Sequence, residues 1–586
     1  MQLWLAYSLD RAGGEDDCEL ALDRIERHYG PVFGPHLIRR GWADASLGAV
    51  VWDARDSGCR WPSWAERREL GVFSGYPVYG AGKVLGGDSR APDPVALAQR
   101  LRQHPELLGE LPPPFVLGLY DRDDEELALI VDGAGFGRAY ELRFERGWVW
   151  SNRVGALPIF AGIAPAPNLS GWRTHAGCGW FMGNTTPVAG VEALPSGSFV
   201  RARPHQERRL DTVDAVHEWV APRSRPADLE SAEAALTAMV RDCGELWEKP
   251  PQVHLSGGRD TRVVAAAAVA ARADATFSTN ASLPGELAIA RELVSRAPGE
   301  LAHKITETRD VTATGDLGER TTRLHHVFDG VYGHSGVRAR LLRGLLTGRR
   351  ATLTGAGGEI ARGSFYRGSV YDKVDAWGPD GPYRRLSGLY RVHGGVQEAS
   401  HEEVDRWIAV TLEEGARRGL SGHSLLDWFY LAERLRRWAN GSARTVSVSP
   451  LIEPRFIRAA FDTPARDRID DALHEQMSAR LVPEWAGVGY YKASREDFRG
   501  QTRPWIWQTS DAEAVRTLVA EGDRWADTFD PQALAALWAD VEAGRGQTRH
   551  ESVFERLAWR AFYDDHLRLL AQAATSPPPR PAVAAT

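Results

Sequence analysis

The segment His254-Leu-Ser-Gly-Gly-Arg-Asp-Thr-Arg262 lies at a change of pattern in the second half of the chain. It overlaps a short apolar run, Gln252-Val-His-Leu255, that is typical of a strand. An alanine-rich run from Thr261 to Arg272 follows it and has the composition of a helix. The sequence therefore predicts a strand, a glycine turn and a helix in succession.

This glycine turn has the features of an anion-binding loop. Gly257 and Gly258 let the backbone approach an anion closely, and the following helix directs its free amide groups and the positive end of its dipole at the same point. Ser256 and Thr261 can add hydroxyl donors. Asp260 has the wrong charge for phosphate, so its useful role would be to hold Mg2+. Together these residues predict a pyrophosphate cradle; the alternative is a purely structural turn.

Two common nucleotide-binding motifs do not account for this loop. The standard P-loop requires GxxxxGK[ST], which the chain does not match. Gly133-Ala-Gly-Phe-Gly137 has the wrong spacing for the dinucleotide fingerprint GxGxxG and lies in a β-rich region, where we interpret it as a turn.

Strands and helices alternate on both sides of the glycine turn. The apolar spacing predicts a helix over Leu229–Trp247, strands over Ala275–Thr279 and Ala351–Thr354, and a helix near Glu286–Arg296. Residues after about 400 are expected to be mostly helical. This alternation favours an α/β domain built on a parallel sheet.

The first part of the chain has a different pattern. Short apolar runs such as Phe115–Tyr120 and Leu127–Val131 end in Asp and Gly turns, and Gly190–Val200 is typical of a turn followed by a strand. A polar, Arg- and Pro-rich stretch then precedes the α/β pattern. We therefore predict a β-rich domain at 1–205, a linker at 206–228, an α/β domain at 229–575 and a disordered tail at 576–586.

Composition narrows the partners and the compartment. The chain has 586 residues and a net charge of -7, so no electrostatic argument favours nucleic acid. No apolar run reaches the roughly 20 residues of a membrane span, and the acidic start is not a signal peptide. The 4 cysteines are far apart, which suggests neither a disulfide framework nor a zinc site. We expect a cytoplasmic protein.

Several segments resemble, in chain order, the motifs of the asparagine synthetase family. The turn Ser256-Gly-Gly-Arg-Asp-Thr261 resembles that family's SGGxD[ST] pyrophosphate loop. The other matching segments are Thr354-Gly-Ala-Gly-Gly-Glu359 with Gly363, Ser449-Pro-Leu-Ile-Glu-Pro-Arg-Phe456, Leu481-Val-Pro-Glu-Trp485 with Lys492 downstream, and, for the family's glutaminase-type domain, Phe115 to Ala156 and Thr186 to Gly197. The resemblance covers most of the chain, and its specificity comes from the order of the segments.

The resemblance implies both a fold and ligands. It implies a mixed α/β fold, in which a β-rich glutaminase-like sandwich precedes a parallel-sheet α/β domain of the ATP-pyrophosphatase type with extra helices. It implies ATP and Mg2+. The family's adenine contacts fall on Leu255, Thr354 and Gly355, and its metal carboxylates on Asp260 and Glu359. The alternative role for Glu359 is a charge stabilised by a helix N-terminus.

The resemblance also suggests catalytic residues. Lys492 would lie near the α-phosphate, where a lysine can stabilise charge on the leaving pyrophosphate and on a tetrahedral intermediate; the alternative is a solvated surface lysine. Tyr490 and Tyr491 are candidates for the substrate pocket or for proton transfer. Arg259 and Arg262 are candidates for phosphate contact, and we expect one of them on the solvated face of the helix.

The departures from the family pattern bear on the reaction. Glutamine hydrolysis in that family uses a cysteine immediately after Met1, whereas this chain has Gln2 and its nearest cysteine is Cys18. We therefore expect no glutaminase activity. Glu359 replaces the family's aspartate, and Ala356 stands where the family usually has glutamate, which weakens any direct transfer of substrate contacts.

A group of histidines, His325, His326 and His334, lies between the second and third predicted strands of the α/β domain. Their spacing matches no standard zinc pattern. In the related family this region borders the substrate pocket, so we interpret the group as a substrate-side wall.

The function implied by the resemblance is formation of an amide bond through an acyl-adenylate. Family members without the N-terminal cysteine include β-lactam synthetases and lasso-peptide cyclases, and the arginine in the glycine turn, the GAGGE segment and the aromatic-rich C-terminal half favour a cyclase. The partners would then be a peptide substrate, a leader-peptide-binding protein and a leader protease. The alternatives are a small-molecule amide or β-lactam synthetase, an ammonia-dependent asparagine synthetase, or a non-catalytic scaffold that binds nucleotide or peptide.

Overall fold

Two antiparallel sheets form the first part of the structure, a computed structural model that describes residues 3–10, 15–33, 37–54, 58–86, 93–307, 315–331, 350–392, 394–438, 447–492 and 504–576. The strands are β1 (Leu3–Leu9), β2 (Leu37–Ala43), β3 (Leu47–Ala54), β4 (Trp64–Arg67), β5 (Leu70–Ser74), β6 (Val116–Asp121), β7 (Glu126–Val131), β8 (Tyr140–Phe144), β9 (Gly147–Ser151), β10 (Val191–Ala193), β11 (Ser198–Ala202) and β12 (Arg209–Thr212). One sheet has the order β10-β8-β9-β1-β3-β2 and the other β12-β11-β7-β6-β5-β4. The predicted strands near 115–120 and 127–131 are confirmed as β6 and β7.

The two sheets pack face to face. Because successive residues of a strand point to opposite faces, alternate residues of each strand lie between the sheets. On β1, Trp4 and Ala6 pack between the sheets, and the rings of Trp4 and Phe73 lie 5.1 Å apart. Leu5 and Tyr7 point the other way, into a core covered by helices. Strand β1 is therefore buried on both faces, which explains its run of apolar residues.

Six α-helices accompany these sheets within the described part of the chain. They are α1 (Glu15–Phe33), α2 (Ala81–Leu85), α3 (Pro94–Gln103), α4 (Ala156–Ala161), α5 (Leu169–Cys178) and α6 (His217–Val220). The segment 206–228, predicted as a linker, contains β12, which pairs with β11, and α6. Its polar composition hid the strand because β12 lies at the edge of its sheet, where side chains stay solvated. The domain boundaries themselves stay a prediction.

A five-stranded parallel sheet forms the centre of the second part, as the alternating pattern predicts. Its strands are β13 (Gln252–His254), β14 (Thr276–Asn280), β15 (Ala302–Thr306), β16 (Thr352–Leu353) and β17 (Ser447–Val448), in the order β15-β14-β13-β16-β17. All neighbours are parallel. The chain moves outward from β13 to β15 and then returns to the other side of β13. The topological switch point, where open α/β sheets leave a crevice for ligands, is therefore between β13 and β16.

Helices cover this sheet and make up most of the rest of the structure. They are α7 (Leu229–Leu246), α8 (Arg259–Ala270), α9 (Pro284–Arg296), α10 (Leu317–Phe328), α11 (Val370–Ala376), α12 (Gly381–Tyr390), α13 (Glu398–Arg417), α14 (His423–Phe429), α15 (Arg436–Trp438), α16 (Pro454–Asp462), α17 (Ala465–Ile469), α18 (Ala472–Leu481), α19 (Ala512–Ala520), α20 (Pro531–Glu542), α21 (Thr548–Ala561) and α22 (Tyr563–Thr575). The predicted helix after the glycine turn begins at Arg259 rather than Thr261. Across the described ranges, none of the helices has the length and apolarity needed to cross a membrane.

The hydrophobic cores combine residues from both parts of the chain. The core beneath β1 joins Leu5 and Tyr7 to Phe328 of α10, Trp559 of α21 and Tyr563 of α22. Helices from the end of the chain therefore complete the burial of the first sheet.

Histidines form a buried cluster within this shared core. The rings of His28 and His326 lie 4.4 Å apart, those of His325 and His566 lie 6.1 Å apart, and those of His326 and His566 lie 6.3 Å apart. His325 Nε2 is 2.9 Å from the Trp559 carbonyl oxygen. The interpretation of His325 as part of a substrate-side wall is wrong, because its side chain is fully buried; His334 lies outside the described residues.

The cluster lies around a buried ion pair, and burial keeps its histidines neutral. Arg153 Nε is 2.9 Å from Asp329 Oδ2, and the Tyr29 hydroxyl donates to Asp329 Oδ1 at 2.8 Å. Burial lowers the pKa of His28 and of His325 to about 3, and burial with the neighbouring histidines lowers the pKa of His566 further.

We expect acid to destabilise the protein through these histidines. Below pH 6.5 these histidines bind protons in the unfolded chain, whereas in the folded protein the buried rings stay neutral. Their contribution to the stability of the fold is therefore complete above pH 6.5 and is lost as the pH falls toward 3. His325→Gln removes one titrating ring and should reduce the loss between pH 7 and pH 5 by about 2 kcal/mol. The check is the shift of the thermal unfolding midpoint between the two pH values. His217→Gln, at an exposed histidine, should behave as wild type; an equal shift in both variants would contradict the prediction.

Candidate functional site

The predicted anion loop connects the carboxyl end of β13 to the start of α8. Gly258 is the residue before the helix, and no side chain caps the helix there. The Gly258 amide donates to Ser256 Oγ at 3.0 Å, and Ser256 Oγ lies 2.9 Å from Thr261 Oγ1. The two hydroxyls therefore lie together at the mouth of the loop, beside a helix N-terminus that can accept an anion.

The second glycine segment, which follows β16, packs directly against this loop. A Cβ atom on Gly355 would lie 2.7 Å from both Asp260 Cβ and the Thr261 amide nitrogen, and a Cβ atom on Gly358 would lie 2.5 Å from Asp260 Oδ1. Glycines at these positions allow the two segments to meet. The structure thus brings Ser256, Gly257, Gly258, Asp260, Thr261, Thr354 and Gly355 together at the switch point of the sheet.

The carboxylate of Asp260 is paired on both sides. Arg362 Nη1 donates to Asp260 Oδ2 at 2.8 Å, and the fully buried His474 places Nε2 2.9 Å from Oδ1. Burial alone would raise the pKa of Asp260, but His474 and Arg362 outweigh it and hold that pKa below its ordinary value. Asp260 is therefore ionised and carries its charge into the loop.

Glu359 occupies the other side of the second glycine segment. Its Oε2 accepts from the Gly357 amide at 3.2 Å and from the Tyr430 hydroxyl at 2.9 Å. Tyr430 begins a short π-helical turn, Tyr430–Leu435, a geometry that recurs at functional sites. Burial and the Glu359 carboxylate raise the pKa of Tyr430 well above its usual value, so the hydroxyl keeps its proton and donates it.

The residues present fit a phosphate chain with a divalent cation. The uncapped N-terminus of α8 suits phosphate oxygens. Asp260 and Glu359 each keep carboxylate lone pairs beyond the contacts described above. Among the residues that the structure describes, no group of three or more His, Cys, Asp or Glu side chains could hold a metal ion. A magnesium ion here would therefore depend on one or two carboxylates together with phosphate oxygens, which is its usual environment.

The predicted adenine contacts lie on either side of the loop. Leu255 is buried, its amide donates to the Ser278 carbonyl oxygen at 2.9 Å, and its own carbonyl oxygen accepts from Thr279 Oγ1 at 2.7 Å. The Thr354 amide donates to the Val448 carbonyl oxygen at 2.9 Å. These bonds fix the backbone at the ends of β13 and β16, while the assignment to adenine stays a prediction.

Tyr491 and Lys492 are tied to the loop through the backbone. The Tyr491 amide donates to the Gly257 carbonyl oxygen at 2.9 Å. The Tyr491 side chain packs where Gly257 and Gly285 have no Cβ, since added Cβ atoms would come within 2.6 and 2.5 Å of it. Lys492 follows with an exposed side chain. The structure therefore places Lys492 beside the loop, and its catalytic role stays a prediction.

Arg262 has a structural role that its sequence position did not suggest. It is 2% exposed, and its Nη1 and Nη2 donate to the carbonyl oxygens of Val488 and Gly489 at 2.7 and 2.6 Å. Its guanidinium also lies 3.9 Å from the ring centre of Tyr490. The expectation that Arg259 or Arg262 lies on a solvated helix face is wrong, because Arg259 is also mostly buried, with 18% of its side chain exposed.

Three residues of the site were missed by sequence reasoning: Arg362, Tyr430 and His474. Arg362 lies one residue before Gly363, within the segment that resembles the second family motif. That position is the signal by which the sequence could have indicated Arg362 as a site residue. The others come from distant helices.

The thiol nearest to the N-terminus is not a candidate nucleophile. Cys18 is 3% exposed on α1, and burial raises the pKa of its thiol. A buried neutral thiol is unreactive. The expectation that glutaminase activity is absent also depends on Gln2, which lies outside the described residues.

The fold is mixed α/β, with two antiparallel sheets in the first part and a parallel five-stranded sheet in the second. No family model and no curated protein matches the chain. Among solved structures, the chain is similar to the glutamine phosphoribosylpyrophosphate (PRPP) amidotransferase from B. subtilis complexed with ADP and GMP, with a TM-score of 0.24 and 9% identity. The match covers 44% of this chain and 61% of that chain. A likeness of this size assigns no function.

Substituting Gly355 by alanine tests the close packing of the two glycine segments. The added methyl group would collide with Asp260 Cβ and with the Thr261 amide nitrogen, so we expect a loss of about 1–3 kcal/mol of stability. Gly244→Ala is the matched control: Gly244 lies in α7 with open space around it, so alanine should stabilise by about 0.5–1 kcal/mol. Thermal unfolding of both variants checks the opposite signs. A neutral Gly355→Ala variant would show that the two segments are not in contact.

Proposed function

We propose that this protein joins a carboxylate to an amine in an ATP-dependent reaction that passes through an acyl-adenylate. One observation carries the proposal. Two glycine-rich segments pack together at the carboxyl edge of the parallel sheet, at its switch point, beside the uncapped N-terminus of α8. That arrangement suits a phosphate chain, and the order of the motifs resembles a family that adenylates carboxylates.

In the first step of the proposed reaction, a substrate carboxylate oxygen attacks the α-phosphorus of ATP. A bond forms between them, and the bond from the α-phosphorus to the oxygen that bridges to the β-phosphate breaks, so pyrophosphate leaves. The amides of the first turn of α8, with the hydroxyls of Ser256 and Thr261, bind the phosphate oxygens. Asp260 and Glu359 would hold Mg2+, which supplies positive charge against those oxygens.

In the second step, an amine nitrogen attacks the acyl carbon, the bond to AMP breaks, and the amine loses a proton to solvent. Lys492 follows Tyr491, whose amide is bonded to the loop, and in the proposed reaction its positive charge stabilises the leaving groups of both steps. Tyr491 packs against Gly257 and Gly285 and limits the access of water to that side of the loop, which matters because water would destroy the adenylate.

The substrate that we propose is a peptide that closes on itself, with its N-terminal amine joined to an Asp or Glu side chain as in lasso peptides. The support for this narrower proposal is the resemblance of the glycine turn and of the GAGGE segment to cyclases of that kind. An amide or β-lactam formed on a small molecule, an ammonia-dependent synthetase and a non-catalytic scaffold remain as outcomes of the test.

The test is product analysis with purified protein, ATP and Mg2+. We expect AMP and pyrophosphate with linear peptides that carry an internal Asp or Glu, together with a peptide product lighter by one water. A carboxylate labelled with oxygen-18 should transfer one labelled oxygen to AMP, since the adenylate contains that oxygen. AMP formed with free aspartate and ammonia would indicate amino-acid amidation, and ADP would contradict adenylation.

Variants separate the enzyme from a scaffold. Lys492→Ala should lower turnover by about 100-fold, the usual effect of removing one charge-stabilising group. Lys249→Ala, at an exposed lysine, is the matched control and should keep wild-type turnover. Asp260→Ala should abolish turnover in an enzyme. If the wild type turns over no nucleotide and Asp260→Ala keeps partner binding, the protein acts as a scaffold.

A further inference from the structure

Asp471 gathers three guanidinium groups beside the glycine loop. Its carboxylate contacts Arg259 Nε and Arg367 Nη2, and its Oδ1 lies 3.3 Å from Arg362 Nε. Each arginine comes from a different place: Arg259 from the first turn of α8, Arg362 from the end of the second glycine segment, and Arg367 from the chain just beyond it. One carboxylate therefore joins the elements that form the loop.

The position of Asp471 is unusual for a purely structural residue. Asp471 precedes α18, where an aspartate ordinarily caps its own helix, yet its side chain makes no capping hydrogen bond. Its backbone has a φ of 61°, in the left-handed region that costs a non-glycine residue free energy. The missing capping bond and the left-handed backbone each make the local structure less stable. The carboxylate binds the arginines instead of capping the helix.

Arginines outnumber the carboxylates that they contact around Asp471, and they are the more exposed partners. Three guanidiniums meet two carboxylates, those of Asp471 and Asp260, so one positive charge is left over in this group of five side chains. The carboxylates are the more buried partners: 9% of the Asp471 side chain and 15% of the Asp260 side chain are exposed, against 18%, 23% and 36% for Arg259, Arg362 and Arg367. Solvent therefore reaches these arginine side chains more than it reaches the two carboxylates.

Other contacts restrict the arginines to this arrangement. The Arg259 guanidinium lies 4.7 Å from the ring centre of Tyr490. Arg362 is also bound to Asp260, and Arg367 Nε donates to the Arg362 carbonyl oxygen at 2.9 Å. The next carboxylate in electrostatic reach of Arg362 is that of Glu359, which accepts from the Tyr430 hydroxyl. The guanidiniums are thus held in place before any ligand arrives.

We infer that Arg259, Arg362 and Arg367 form a receptor for the diphosphate group that leaves in the proposed reaction, and that Asp471 is the residue that positions them. This inference rests on the proposed function. Planar guanidiniums bind phosphate oxygens in pairs. A diphosphate carries more negative charge and more oxygens than orthophosphate, so it can contact more of the guanidinium groups at once. We therefore expect pyrophosphate to bind more tightly than orthophosphate.

The test measures the binding of inorganic pyrophosphate and of orthophosphate by calorimetry. Asp471→Asn removes a negative charge, so a purely electrostatic effect would tighten pyrophosphate binding. If Asp471 positions the arginines, binding weakens by about tenfold or more despite that change of charge, and selectivity over orthophosphate falls. Asp470→Asn, at the exposed neighbouring residue, is the matched control and should bind as wild type. Unchanged or tighter binding in Asp471→Asn would overturn the receptor.

A second variant decides the question if Asp471→Asn does not fold. Arg367→Lys keeps the positive charge but loses the planar fork, and we expect about tenfold weaker pyrophosphate binding with a smaller loss of orthophosphate binding. Arg466→Lys, at an exposed arginine near the start of α17, is its control. If the wild type forms AMP, and Arg367→Lys binds pyrophosphate as tightly as Arg466→Lys does, the receptor is contradicted while the proposed function stands. If the wild type neither turns over ATP nor binds pyrophosphate, the proposed function is contradicted as well.

Discussion

The carboxylate of Asp260 is buried at the point where two loops and two helices meet, and a buried charge destabilises a fold unless it is paired. Arg362 and His474 supply the pairing. Gly355 and Gly358 supply the space, because any side chain at either position would occupy the volume of Asp260. The approach of the β13 loop to the β16 loop therefore depends on one ion pair and two missing Cβ atoms. Removing the carboxylate would leave Arg362 and His474 without their partner in a poorly solvated place, so the ion pair and the shape of the loop depend on each other.

Local patterns in the sequence predict the parts of this arrangement that are local in the chain. The strand, glycine turn and helix around Gly258 are consecutive, and their apolar spacing is enough to predict β13, α8 and a parallel sheet. The order of the glycine segments then predicts that the loops after β13 and β16 share an edge, because parallel strands end on the same side. The length of β16, which has 2 residues, could not be predicted from its apolar run.

The pairings across long stretches of chain could not be predicted. Asp260 meets Arg362 and His474, and Asp471 meets Arg259, because helices α8 and α18 pack together, and no periodicity records which helices become neighbours. One of Arg259 and Arg262 was expected to be solvated, because arginine side chains usually are, yet Arg262 is 2% exposed. The structure buries it because the Val488 and Gly489 carbonyls offer two acceptors that a regular helix or strand would have used. The role of His325 was misjudged for a similar reason, since its partner Trp559 lies in a helix near the end of the chain.

The position of Lys492 follows from these buried contacts rather than from any contact of its own side chain. Arg262 holds the carbonyls of Val488 and Gly489, and Tyr491 donates its amide to Gly257. Two sets of hydrogen bonds, one from α8 and one to the loop, therefore hold the backbone of the residues just before the lysine. An exposed lysine on such a backbone can move its ammonium group through several rotamers while its Cα stays beside the loop. That combination suits a charge that must follow a phosphate chain as it leaves. The arginines at Asp471 are held by that carboxylate, so they suit a charge that must stay in one place. Mobile and fixed positive charge thus come from different elements around the same loop.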